Sequence, residues 1–251
     1  MIKKIHYVWF GGSPLPGGVK SCIQSWERFC PDWEIKQWNE SNFDVSRFRW
    51  VREALAARQY AFAADFVRLF VLFNEGGAYV DTDVEFLKDI TPSIKGGFVT
   101  AIENHHVGTN YMEQVSEDGI LPNGEHCTGF CLQAGFLYSE PHHPFVLQCM
   151  KNLYDNGNRR FVNDNDTFNG FVIDQALMYQ IHALGGVFRD RFQTLKPDII
   201  VYDSSVYATR KTKNDETYLV HWFDQSWKKD KNPSALIKRW IKRYLYFIYR
   251  R

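Results

Sequence analysis

The stretch that most restricts the fold is residues 60–86, where the apolar run YAFAADFVRLFVLF is halted at Glu75-Gly76-Gly77 and followed directly by AYVDTDVEF. Residues 49–74, rich in Ala, Leu and Phe, read as one or two helices. Gly76-Gly77 supplies the stop that a left-handed helix cap requires. The apolar run 78–86 then reads as a strand with two aspartates planted inside it. A helix stopped by glycines and followed at once by a strand belongs in a layered α/β domain.

The rest of the chain agrees with that class. Residues 5–10 read as a short buried strand, broken by the loop GGSPLPGG. Val19, Cys22, Ile23, Trp26 and Phe29 recur at helical spacing, and 33–38 reads as a second strand, so the chain opens with a βαβ unit. Further strands are expected at 98–104, 130–138 and 216–222, and helices at 144–154 and 172–183. Residues 104–128 and 163–170 read as loops or a small insertion. Alternation of this kind favours a mostly parallel central sheet. With 251 residues, 45% apolar, the chain holds material for one sizeable core.

Thirty Lys and Arg against 29 Asp and Glu leave no global basic field, which argues against a nucleic-acid partner. Five cysteines form no paired framework, and residues 1–6 lack the apolar segment of a signal peptide. A reducing, cytoplasmic setting is the resulting expectation. No stretch reaches 18 uninterrupted apolar residues, so no spanning helix is expected.

In a strand Asp81 and Asp83 would project from one face. Carboxylates roughly 5 to 6 Å apart repel by about 3 kcal/mol at an effective dielectric near 20, a cost that a divalent cation between them reverses. Oxygen ligands suit Mg²⁺ or Mn²⁺ better than zinc. A bare D-x-D more often marks a solvated strand end. Asp65 and Arg68, three apart on one helical face, can form a surface ion pair or serve a site within their apolar helix. His221 closes an apolar strand in YLVHWFDQSWKK; it can be a partly buried core residue or a third metal ligand. In EHCTGFC, the spacing of His126, Cys127 and Cys131 is poor for zinc, and buried cysteines are the better reading.

IHYVWFGG, YAFAADFVRLFVLFNEGGAYVDTDVEFL and HWFDQSW together resemble the DXD-containing glycosyltransferases of family 32, over residues 2–228. These include bacterial capsule and lipopolysaccharide sugar transferases, with yeast mannosyltransferases and the glucosylating domains of clostridial toxins as distant relatives. The resemblance implies a GT-A fold spanning 1–227, a Rossmann-like half that binds a nucleoside diphosphate sugar, and retention of anomeric configuration. It implies that Asp83 binds Mn²⁺ or Mg²⁺ directly, that Asp81 touches the ribose, the sugar or the metal, and that His221 is the late metal ligand. Ser226 and Trp227 fall near the diphosphate and the glycosidic oxygen, Trp9 stacks on the base, Asp65 and Arg68 hold the sugar and its leaving oxygen, and Gln133 faces the sugar near the reaction centre. The chain departs from the toxin-type relatives at Ala64, where they carry Ser, and at His221, where they use a carboxylate.

The resemblance thus implies a hexosyltransferase taking Gal or Glc from a UDP-sugar to a glycan or lipid-linked saccharide acceptor, with GDP-mannose as the alternative donor. Outside transferases, a D-x-D metal phosphohydrolase would want its first strand to end in a nucleophilic Asp rather than Trp9, and a non-catalytic sugar-binding module would ignore the nucleotide. The segment KKDKNPSALIKRWIKRYLYFIYRR, 228–251, mixes basic and aromatic residues at helix-compatible spacing. It reads as a C-terminal helix on an anionic membrane surface, or as one packed on the domain with a solvated basic face.

Overall fold

The computed structural model describes residues 1–104, 111–121, 127 and 129–223. The chain opens as expected, β1 (Lys4–Val8), α1 (Gly17–Phe29) and β2 (Glu34–Trp38), with β1 and β2 parallel and in register from Lys4↔Glu34 to Val8↔Trp38. Two helices follow, α2 (Arg49–Ala56) and α3 (Tyr60–Glu75). Helix α3 is apolar on most of its circumference because it packs against α2, against the sheet and against α4 (Pro144–Tyr154). Gly76 and Gly77 end it at φ values of 67° and 95°, and Gly77 lies so close to β1 that a Cβ there would stand 2.5 Å from the Lys4 carbonyl oxygen.

The remaining strands are β3 (Gly77–Val80), β4 (Val84–Phe86), β5 (Phe98–Asn104), β6 (Phe130–Leu132), β7 (Phe136–Ser139), β8 (Gln193–Leu195), β9 (Ile199–Tyr202), β10 (Tyr207–Thr209) and β11 (Leu219–His221), with α5 (Ile173–Ala183) between β7 and β8. The large sheet runs β2-β1-β3-β7-β5-β9-β8 with β6 beside β5, and a small sheet runs β10-β11-β4. The α/β class is the expected one, with a central sheet flanked by helices.

Three expectations are corrected. The sheet is mixed rather than mostly parallel: β7 runs antiparallel to both β3 and β5, and β8 antiparallel to β9. A parallel neighbour needs a long crossover, whereas residues 196–198 between β8 and β9 allow only a reversal. The run 78–86 is not one strand. It divides into β3 in the large sheet and β4 in the small one, with a turn at 81–83 closed by the Val84 N–H on the Asp81 carbonyl at 3.0 Å. The expected strand 130–138 likewise breaks at 133–135.

Alternation along the strands splits the core in two. Tyr79, Phe98 and Ile102 join Trp50, Phe66, Leu69, Phe145 and Leu177 under α2 to α5, while Ala78, Val80, Val99 and Ala101 join Trp26, Phe86, Tyr207 and Leu219 between α1 and the small sheet. Each fully buried large side chain contributes about 1.5–3 kcal/mol. Among the described residues no helix is long and apolar enough to cross a membrane.

Candidate active site

The turn at 81–83 passes the chain from one sheet to the other, and strand pairing positions it from both sides. The Asp81 N–H donates to the Gly135 carbonyl at 2.8 Å, and the Trp222 N–H donates to the Asp83 carbonyl at 3.0 Å. Antiparallel pairing of His221 with Val84 sets the His221 ring beside Asp83, with Nε2 3.3 Å from Asp83 Oδ1. One ligand atom from each of Asp81, Asp83 and His221 lies within 4.8 Å of the others, and among the described residues no other three such side chains are so arranged. Two carboxylates and an imidazole fit Mn²⁺ or Mg²⁺, hard cations that accept mixed oxygen and nitrogen donors alongside substrate oxygens. The carboxylates come together from a turn and not from the shared strand face that alternation predicts.

The acids are held in place by their neighbours. Asp81 accepts the Tyr79 hydroxyl at 2.9 Å and lies 3.6 Å from an Arg68 nitrogen. Arg68, on α3, is buried rather than part of a surface pair: Nη2 donates to Asp65 Oδ1 at 2.5 Å, Nη1 to the Ala134 carbonyl at 2.6 Å, and the guanidinium lies over the Tyr79 ring at 4.7 Å. Among the described residues its Nε has no partner.

Residues 133–135, the break between β6 and β7, act as a hub. Besides the bonds from Arg68 and Asp81, the Ala134 N–H donates to Asp174 Oδ1 at 3.2 Å, and the Gly135 N–H donates to Gln133 Oε1 at 3.1 Å. Gln133 Oε1 also faces His221 Nδ1 at 3.1 Å, as does Glu103 Oε2 at 3.3 Å. The Gln133 Nε2 is buried and has no partner among the described residues.

Burial and neighbouring charge compete in the protonation equilibria. It pushes the Asp65 carboxyl up to about 6 even beside Arg68, with Asp81 adding to the rise. Burial and the nearby Glu103 push Asp174 up to about 7. Burial alone would lower His221, but the carboxylates of Asp83 and Glu103 prevail and hold it well above the ordinary imidazole value. Among the described residues five carboxylates, those of Asp65, Asp81, Asp83, Glu103 and Asp174, thus meet one guanidinium and one imidazole. The surplus is negative, which favours a cation.

The structure brings Asp65, Arg68, Asp81, Asp83, Gln133 and His221 together. Trp9 leaves the C-terminal end of β1, and Asp81 leaves the same end of β3, the strand parallel to β1; the Trp9 indole N–H donates to the Ser13 carbonyl at 2.6 Å. Ser226, Trp227, His126 and the 228–251 segment lie outside the described residues. Cys127 and Cys131 are buried, and among the described residues neither forms a disulfide. Sequence reasoning missed Glu103 and Asp174. The one signal for Glu103 is an acid in the apolar strand FVTAIEN, buried to 1% exposure.

Residues 16–107 match the model of a family described as the glycosyltransferase sugar-binding region containing a DXD motif. Asp81-Thr82-Asp83 falls within that match. The inositol phosphoceramide mannosyltransferase 3 of Schizosaccharomyces pombe is 28% identical over 159 residues, covering 60% of this chain and 36% of that protein. The chain therefore spans about a third of the length of that curated relative. Among solved structures, the PaToxG glycosyltransferase is 15% identical with a TM-score of 0.46, covering 72% of this chain and 69% of the other. The galactosyltransferase LgtC, solved with donor and acceptor sugar analogs, is 12% identical with a TM-score of 0.47, covering 94% of each chain.

Proposed function

We propose, from the match of residues 16–107 to the DXD sugar-binding region of glycosyltransferases, a metal-dependent, retaining hexosyltransferase of family 32 type that uses a nucleoside diphosphate sugar. The observation that carries the reading is the convergence of Asp81, Asp83 and His221 within 4.8 Å beside a buried Arg68. Asp81, Asp83 and His221 would hold Mn²⁺ or Mg²⁺, which supplies charge neutralisation to a departing diphosphate. Arg68, kept fully protonated by Asp81, Tyr79 and Asp65 against the effect of burial, stabilises the leaving oxygen as its negative charge grows. Asp65, anchored on Arg68, holds sugar hydroxyls, and Trp9 at the strand ends stacks on the base. The buried N–H groups of Arg68 Nε and Gln133 Nε2, which have no acceptor among the described residues, leave donors for substrate oxygens.

Retention by front-face attack, the acceptor hydroxyl entering on the side from which the diphosphate leaves, fits the engagement of the nearby acids. Asp65 is bound to Arg68, Asp174 to the Ala134 N–H and Glu103 to His221. Mass-spectrometric trapping of a glycosyl-enzyme adduct would overturn it.

A UDP-sugar is the favoured donor, through the position of Trp9, and a surface-polysaccharide glycan or lipid-linked saccharide the favoured acceptor. GDP-mannose is the second donor reading, favoured by the fission-yeast relative, whose name is that of a mannosyltransferase. The 228–251 segment would place the enzyme on the cytoplasmic face of an anionic membrane. Truncation after Lys231 should release it from anionic liposomes, and unchanged sedimentation would remove that part of the reading.

The deciding experiment is nucleotide release from UDP-Gal, UDP-Glc and GDP-mannose with Mn²⁺, with EDTA and with Asp83→Ala as controls. Turnover of one donor that is lost in both controls supports the reading. Phosphate release from simple esters would point to a phosphohydrolase, and glycan binding indifferent to nucleotide would point to a sugar-binding module.

A further inference from the structure

The imidazole of a metal-ligating histidine can present only one nitrogen lone pair, and the hydrogen bond made by its other nitrogen selects which. At His221 that selection begins at a backbone amide. The Gly135 N–H can only donate, so the Gln133 atom 3.1 Å from it is the amide oxygen. The same oxygen lies 3.1 Å from His221 Nδ1. On that nitrogen also converges Glu103 Oε2, at 3.3 Å, from a side chain that is 1% exposed. An amide oxygen and a carboxylate both accept, so the nitrogen between them carries the hydrogen. The other nitrogen, Nε2, faces Asp83.

The ring's orientation is restrained as well as its hydrogen. A Cβ on Gly135 would lie 3.1 Å from the ring atoms Cε1 and Nδ1, so the imidazole rests against a bare backbone. The Phe223 ring closes over it with centroids 3.9 Å apart. Glu103 is steadied in turn by the Cys131 thiol, which reaches its Oε1 at 3.8 Å.

We infer that Gln133 and Glu103 are the positioning residues of His221: together they take its Nδ1 hydrogen and turn the Nε2 lone pair toward the space between Asp83 and Asp81. This inference rests on the metal-dependent reading above and assigns Gln133 a task beyond facing the sugar. It also accounts for a buried glutamate in an apolar strand, a placement that is costly unless the charge is engaged.

The test is binding of Mn²⁺ alone, followed by the electron paramagnetic resonance signal of the free ion, with the melting temperature measured in EDTA for each variant. Glu103→Gln and Gln133→Met, each close in shape to the original, should weaken Mn²⁺ binding by about tenfold, and the double variant by about a hundredfold. Gln133→Glu, which keeps an acceptor for both the Gly135 N–H and Nδ1, should bind within about threefold of the parent protein. Packing alone would not separate Glu from Met at this position. If Asp83→Ala abolishes binding while Glu103→Gln and Gln133→Met bind like the parent, the positioning roles are refuted and the metal site stands. They are equally refuted if Gln133→Glu binds as poorly as Gln133→Met. If Asp83→Ala itself binds Mn²⁺ like the parent, the metal-dependent reading falls and this inference with it.

Discussion

Replacing Asp174 by Asn should stabilise the metal-free protein at neutral and alkaline pH. Burial and the neighbouring Glu103 push the Asp174 carboxyl up to about 7, roughly three pH units above an exposed aspartate. A raised carboxyl binds its proton more tightly in the folded chain than in the unfolded one. Its contribution to stability is therefore fully present below about pH 4 and is lost as the pH climbs through about 7. By pH 8, holding the ion in the folded state costs about 4 kcal/mol, at about 1.4 kcal/mol per pH unit. Asn removes the charge and keeps an oxygen for the Ala134 N–H, which now donates to Asp174 at 3.2 Å. For a chain of this size 1 kcal/mol moves the melting temperature by about 2–4 °C. The ceiling on the gain is then about 8–16 °C, reduced by whatever the new amide N–H₂ lacks in acceptors. Differential scanning calorimetry of both proteins in EDTA, from pH 4 to pH 8, should show curves that nearly coincide at pH 4 and a variant ahead by about 5 °C or more at pH 8. A variant that melts at or below the parent at pH 8 would refute the reasoning, because Asp174 would then be a stabilised anion instead of a crowded one.

Three further outcomes follow from the same geometry. Against the effect of burial, Asp83 and Glu103 hold the His221 pKa well above the ordinary imidazole value, so Mn²⁺ binding through Nε2 as proposed would displace a proton and its apparent affinity should rise by up to about tenfold per pH unit until the raised value is passed; affinity constant between pH 6 and pH 8 would exclude Nε2 as a ligand. Arg68→Met should cost about 3–5 kcal/mol at pH 7.5 by leaving buried acids uncompensated, and less at pH 5, where Asp65, already pushed up to about 6, takes a proton; urea unfolding showing the same loss at both values would contradict that. Gly77→Ala sets a Cβ 2.5 Å from the Lys4 carbonyl oxygen at a φ of 95° and should lower stability by more than about 3 kcal/mol, so a variant melting like the parent would mean that β1 and β3 approach less closely than described.

The parts of the site legible in the sequence are those whose partners are near in the chain. Asp65 and Arg68 are paired by helical spacing alone, and the structure adds only that the pair is buried. The helix stop at Gly76-Gly77 is local backbone chemistry and falls where expected. The break at 81–83 was hidden because the alternation of AYVDTDVEF continues through the turn. What ends β3 is the departure of residues 84–86 to pair with β11, more than 130 positions away. Glu103 was illegible for the same reason: in the sequence it is one acid in a strand, and its meaning lies with His221, 118 positions on. The mixed sheet eluded the pattern because strand spacing reports that strands exist, while direction depends on crossovers that short connections such as 196–198 cannot make.

Placing the acids at a junction of two sheets has a physical consequence. Asp81 is fixed by the large sheet through the Gly135 carbonyl, and Asp83 by the small sheet through the Trp222 N–H, so the separation of the two carboxylates is set by how the sheets pack and hardly at all by the turn between them. A free turn would let the two acids swing apart and relieve their repulsion, a few kcal/mol at these distances. Tied at both ends, the turn keeps the backbones of the two acids together, with Arg68 beside Asp81, His221 beside Asp83 and the raised Asp65 and Asp174 close by. Such crowding persists only where the surrounding structure over-determines it. Here residues 133–135 do that, bonded to Arg68, Asp81 and Asp174 through their backbone and to His221 through the Gln133 side chain. A fold that relaxed the acids would be more stable without a cation and would bind one less well.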